Sequence, residues 1–209
     1  MEKVKEVWRQ CDAVCFDVDS TVITGEGLDE LASYMNKGEE IAALTRKAMG
    51  GTMTFREALE MRLNILQPNK SDLQGFIQKN SLQFTEGLRC VFGVWGFISI
   101  IQPIADQLNI PTSSIYANHL KFNEDGSYAG FDVDQPTSAS GGKPKVAQIL
   151  KETKGYKHLV FIGDGATDAE ASPPADAFIG FGGNVVRDSV KQASSWYVYN
   201  FQELIAELS

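Results

Sequence analysis

The run Ala13-Val14-Cys15-Phe16-Asp17-Val18-Asp19-Ser20-Thr21 governs how the rest of the chain is read. Ala13 to Phe16 is apolar and unbroken, as expected of a strand buried on both faces of a sheet. Asp17 and Asp19 follow at its carboxyl end, the edge at which open parallel sheets bind their ligands. A strand has period two, so the two carboxylates point one way and Val18 the other. Adjacent carboxylates repel, and they are tolerated where a cation or a proton lies between them. An Asp at a strand end is also ordinary turn chemistry, so a single Asp-x-Asp carries little on its own.

A second run repeats the design. Leu159-Val160-Phe161-Ile162 empties into Gly163-Asp164-Gly165-Ala166-Thr167-Asp168, whose glycines let the backbone come close to a ligand. Between the two runs, Ser140-Gly141-Gly142-Lys143 delivers one cation at the start of a predicted helix with Val146, Ile149 and Leu150 inward. Further short strands are expected at Phe178 to Gly180 and Trp196 to Val198. A closing helix is expected at Phe201 to Leu208 and an amphipathic one at Met1 to Gln10. Strands alternating with helices predict an α/β fold with a doubly wound parallel sheet.

Residues 23–81 change character. Leu28, Leu31, Ala32 and Met35 share one helical face, as do Phe55, Leu59, Leu63 and Leu66, and no long apolar strand interrupts them. This predicts a small helical cap inserted into a core formed by residues 1–22 and 82–209. Asp125-Gly126, between Leu120-Phe122 and Tyr128-Phe131, predicts a β-hairpin around residues 118–132 of that core.

With 209 residues and 43% hydrophobic content the chain builds a real core, while a net charge of -8 disfavours nucleic acid as a partner. Cys11, Cys15 and Cys90 show no metal-ligand spacing and fit reduced thiols, which points to the cytoplasm. The charged N-terminus does not read as a signal peptide, and the longest uncharged run, Cys90 to Ala105, is too short to span a bilayer. No membrane partner is expected.

In this order, the pieces resemble the haloacid dehalogenase-like phosphotransferases. Asp17-Val18-Asp19-Ser20-Thr21-Val22 is similar to that family's nucleophile motif, Lys143 to its lone lysine, and Gly163-Asp164-Gly165-Ala166-Thr167-Asp168 to its metal motif. Glu26 to Glu30, Arg46 to Gly51, Glu60-Met61-Arg62 and Pro173 to Asn184 resemble the animal-type phosphoserine phosphatases. The resemblance implies that Asp17 is the nucleophile, Asp19 the proton donor and acceptor, and Lys143 the charge that balances Asp17 and the phosphoryl group. It implies Mg²⁺ held by Asp17, the backbone carbonyl of Asp19 and Asp164, with Asp168 acting through water or on Lys143. In the cap it gives Glu26 to the substrate's ammonium, Arg62 to its carboxylate, and Met49 and Gly50 to the walls around the bound serine. The implied activity is Mg²⁺-dependent hydrolysis of the small molecule O-phospho-L-serine through an aspartyl-phosphate, at the end of serine biosynthesis; a homodimer is a candidate assembly, and the sequence does not fix the oligomeric state.

One interval departs from that pattern. Thr85 to Arg89 and Gly96-Phe97-Ile98-Ser99-Ile100 both match, yet only Cys90 to Trp95 lies between them, too few residues for a helix and a strand. One βα element is therefore expected to be missing. The phosphate-holding hydroxyl falls on Val94, Trp95 replaces a small residue, and Ser99 belongs to the following helix. Loss of one such donor costs on the order of a hundredfold to a thousandfold in rate, so the alternative reading is an impaired relative with a binding or regulatory role.

Overall fold

The structure is a computed structural model that describes residues 1–48, 53–79, 82–87 and 96–209. Helix α1 (Glu2–Arg9) leads into strand β1 (Ala13–Phe16), and helices α2 (Gly27–Tyr34), α3 (Gly38–Ala48), α4 (Phe55–Leu66) and α5 (Lys70–Lys79) follow. After α6 (Ile98–Gln107) come the hairpin strands β2 (Leu120–Phe122) and β3 (Tyr128–Phe131). The chain closes with α7 (Gly142–Lys154), β4 (Leu159–Gly163), α8 (Ala166–Ala169), β5 (Ala177–Phe181), α9 (Asp188–Ala193), β6 (Tyr197–Val198) and α10 (Phe201–Ala206).

The main sheet has the order β1-β4-β5-β6 and is parallel throughout. Its side chains alternate between two cores, as period two demands. Cys15, Leu159, Phe161 and Phe178 pack against Val146, Ala147 and Leu150 of α7 on one face. Phe16, Val160, Ile162, Ile179 and Phe181 meet Trp8 of α1, Ile101 and Ile104 of α6, and Phe201 and Leu204 of α10 on the other. Helices on both faces are what lets every residue of β4 and β5 be buried. The expected doubly wound parallel sheet is the observed one. Among the described residues β1 is an edge strand. The expected loss of a βα element falls largely on residues 88–95, which lie outside the described residues.

Register then sets the site. Phe16 pairs with Ile162, so β1 and β4 end side by side, and the Asp17 amide donates to the Ile162 carbonyl at 2.9 Å. Two carboxylate-bearing turns 147 residues apart in sequence (Asp17 and Asp164) thereby leave one sheet edge together.

Helices α2 to α5 form the cap around a core of their own that includes Leu31, Ile41, Leu63, Leu66 and Phe76. That core continues onto Phe97, Ile100 and Phe131, which seat the cap against α6 and the hairpin. Helix α4 begins with a capping box, the Glu57 amide donating to Thr54 Oγ1 at 3.3 Å and the Thr54 amide to Glu57 Oε2 at 2.8 Å. The chain leaves for the cap and returns from it along a short antiparallel contact in which Ile23 bridges Phe84. Thr24 donates to the Gln83 carbonyl at 3.0 Å and Thr85 to the Val22 carbonyl at 2.9 Å. Asn184 Nδ2 pins both legs, bonding the Thr85 hydroxyl at 2.7 Å and the Ser20 carbonyl at 3.1 Å.

Leu63 is fully buried at the centre of the cap. Leu63→Ala is expected to lower unfolding free energy by about 2–5 kcal/mol, the range for a leucine cavity in a rigid core, as read from the midpoint of a urea titration.

Candidate active site

The site opens with a tight turn from Val18 to Val22 in which Ser20 takes φ 55°, a left-handed conformation uncommon for a non-glycine residue. The turn holds because its groups are bonded: the Ser20 amide donates to the Gly25 carbonyl at 2.9 Å and the Ser20 hydroxyl to Glu26 Oε1 at 3.0 Å. It presents the Asp17 side chain to the sheet edge, where Oδ1 accepts the Val18 amide at 2.9 Å.

Lys143 enters from the first turn of α7, after Gly141 with φ 72°. Its ammonium lies 2.9 Å from Asp17 Oδ2 and is bonded to Asp168 Oδ1. A cation at a helix N-terminus is unfavourable by itself. Burial also disfavours the charge, yet Asp17 and Asp168 more than offset both, and the ammonium is held above its ordinary range. Asp168 is fully buried and accepts the Gly165 amide on Oδ2 at 2.8 Å; burial first, and then the charge on Asp17, raise its proton affinity against the pull of the Lys143 ammonium. Gly163 has to be glycine here, since a Cβ would stand 2.3 Å from Asp168 Cγ.

Asp17, Asp164 and Asp168 each bring one carboxylate oxygen to within 4.8 Å of the others. An all-oxygen donor set of this kind fits a hard divalent cation. Asp19 turns its carboxylate elsewhere. Its Oδ1 accepts the Gly27 amide at the start of α2, at 2.8 Å, so this side chain faces the cap while its neighbours face the cluster. Burial, followed by the charges on Glu26 and Asp17, holds the Asp19 carboxyl well above the usual carboxylate range.

A cleft of about 280 Å³ joins these residues to the cap, lined by Asp17, Asp19, Lys143 and Asp164 below and by Glu26, Phe55 and Arg62 above. Arg62 Nη2 donates to Asp29 Oδ1 at 2.8 Å and to Thr45 Oγ1 at 2.9 Å, while its buried Nε has no partner among the described residues. The fold thus brings Asp17, Asp19, Glu26, Arg62, Lys143 and Asp164 to one cavity, with Asp168 behind Lys143. Met49, Gly50, Val94 and Trp95 lie outside the described residues. Ser99 sits in α6, as its register implied, and Gly96, Phe97, Ile100 and Ile101 form the neighbouring wall.

Two contributors have no signal in the sequence. Arg187 Nε donates to Asp164 Oδ2 at 2.8 Å, and Asn118, buried in the wall, accepts the Thr137 hydroxyl on Oδ1 and donates Nδ2 to the Thr137 carbonyl. Arg187 lies in a loop and Asn118 in a single β-bridge to Phe97, with no periodicity and no repeated motif to mark either.

No protein-family model matches the chain. The chain is 47% identical over 218 aligned positions to the phosphoserine phosphatase of Mus musculus, covering 99% of this chain and 97% of the relative. Those 218 positions exceed the chain's own 209 residues, so the relative carries residues that this chain lacks. Among solved structures, a phosphoserine phosphohydrolase-like protein from Francisella tularensis superposes with a TM-score of 0.77 at 29% identity, over 94% of this chain and 99% of that one. A substrate-bound phosphoserine phosphatase complex superposes with a TM-score of 0.78 at 21% identity, over 94% and 98%, and at that identity it speaks for the fold alone. Near-complete coverage at this identity, on a sheet edge that assembles the three expected motifs, makes the chain a member of the phosphoserine phosphatase family within the haloacid dehalogenase-like hydrolases.

Proposed function

We propose that this chain hydrolyses O-phospho-L-serine to L-serine and inorganic phosphate through an aspartyl-phosphate on Asp17. The observation that carries the reading is the buried Lys143 ammonium bonded to both Asp17 and Asp168, within one carboxylate cluster that also includes Asp164.

A phosphate monoester resists nucleophiles because its oxygens carry charge, so catalysis is mainly positioning and charge compensation. Asp17 attacks phosphorus as the bond to the serine oxygen breaks. Asp19, whose proton affinity is raised by burial and by the charge on Glu26, gives its proton to that oxygen. It then takes a proton from the water that cleaves the phosphoaspartate, which frees phosphate and restores Asp17. Lys143 holds Asp17 in place and balances the charge gathered on the phosphoryl oxygens. Asp17, the Asp19 carbonyl and Asp164 would hold Mg²⁺, which when bound would supply the remaining positive charge needed for a carboxylate to approach a dianion.

Residues 23–81 act as the cap, hinged on the paired legs around Ile23 and Phe84. Arg62 receives the substrate carboxylate, its unsatisfied Nε offering a donor, and Glu26 receives the ammonium. Cys11 and Cys15 are free thiols, which suits a cytoplasmic enzyme. Among the described residues no helix is long and apolar enough to cross a membrane.

Phosphate release from O-phospho-L-serine in the presence of Mg²⁺ tests the reading. Activity that is specific to phosphoserine and abolished by chelation is expected. Release no faster than that of an Asp17→Asn control would end it.

A further inference from the structure

Arg187 stands immediately before α9 with its side chain partly exposed, and the proposed mechanism gives it no task. Its guanidinium nonetheless joins two carboxylates distant in sequence. Nε donates to Asp164 Oδ2 at 2.8 Å, and Nη2 reaches Glu26 Oε1 at 3.4 Å, the oxygen that also accepts the Ser20 hydroxyl at 3.0 Å. The other oxygen of Asp164, Oδ1, has only a long contact from the Thr21 hydroxyl, at 3.5 Å.

We infer that Arg187 is a positioning residue, which fixes the Asp164 carboxylate for a divalent cation and ties it to Glu26 at the edge of the cap. The inference rests on the metal and ammonium roles proposed above for those two carboxylates. A carboxylate that binds a metal through one oxygen is commonly oriented by a hydrogen bond to the other, and Arg187 makes that bond on Oδ2 while leaving Oδ1 for the cation. A planar guanidinium fork aims separate donors at the two carboxylates, Nε at Asp164 and Nη2 at Glu26, a geometry that a lysine ammonium at the end of a flexible stem reproduces only in part. Asn184, on the same loop, pins the hinge of the cap, so the loop that carries Arg187 is anchored to the segment that carries Glu26.

The test is calorimetric titration of the full chain with Mg²⁺ alone, for the wild type, Arg187→Gln and Arg187→Lys, after melting curves in metal-free buffer have established that each is folded. Arg187→Gln is expected to weaken Mg²⁺ binding by about 10- to 100-fold, and Arg187→Lys to recover part of that loss. Binding by Arg187→Gln that is unchanged, or tighter because the guanidinium had occupied the cation's place, overturns the inference while leaving the metal site intact. Should Arg187→Gln fail to fold, Arg187→Lys decides, and parity with the wild type overturns the inference. Absence of binding in every protein, wild type included, removes the metal site itself and the inference with it.

Discussion

Asp17→Asn is expected to lower kcat for phosphoserine hydrolysis by on the order of 10⁴-fold or more while leaving the fold in place. The amide keeps the size of the carboxylate and can still accept the Val18 amide hydrogen bond, but it is not a nucleophile toward phosphorus. Stability is not expected to fall in step with activity. Asp17 contributes to the raised proton affinity of Asp19, Asp164 and Asp168, so its removal relieves repulsion within the cluster, and Lys143 remains paired with Asp168. The check is a phosphate-release assay beside a thermal melt without Mg²⁺. A folded variant with activity close to wild type would remove Asp17 from the mechanism.

Lys143→Met separates the two quantities in the opposite sense, since both are expected to fall. The residue is only 6% exposed and sits between Asp17 and fully buried Asp168, so the substitution leaves two carboxylates without their shared counterion. Removing one partner of a buried ion pair costs about 3–5 kcal/mol. The sign of the pH dependence follows from Asp168. Already pushed upward by burial and then by the charge on Asp17, it takes a proton more readily still once the ammonium is gone. The native state then binds more protons than the unfolded state, and stability falls as pH rises from the unfolded carboxylate range through that raised value. The variant's deficit in urea unfolding should therefore be larger at pH 9 than at pH 6. Activity should drop on the order of 10²- to 10³-fold, as for the loss of one preorganised donor to a charged transition state. A stable, active Lys143→Met protein would contradict both the structural and the chemical role.

The three motifs were legible in the sequence because each is local. An apolar run that ends in Asp17 and Asp19, another that ends in Asp164 and Asp168, and Lys143 at a glycine-rich helix start all follow from periodicity and turn chemistry within a few residues. The hairpin at Asp125-Gly126 and the amphipathic faces around Leu28 and Leu63 were legible for the same reason. Arg187 and Asn118 were not. Their partners are Asp164 and Glu26 in one case and Thr137 in the other, and nothing in a lone residue records such a partner. The left-handed Ser20 was equally silent, because it is held by bonds to Gly25 and Glu26 rather than by a glycine's freedom. The chemistry of the site was thus written in residue types and spacing, since carboxylates at strand ends and a lysine at a helix start carry their meaning locally. Which carboxylate faces the cation cluster and which faces the cap, what holds Lys143 charged in a buried place, and how one guanidinium reaches both halves of the cleft were decided by the tertiary structure alone, because hydrogen bonds and charge interactions depend on distances through space that the order of residues does not contain.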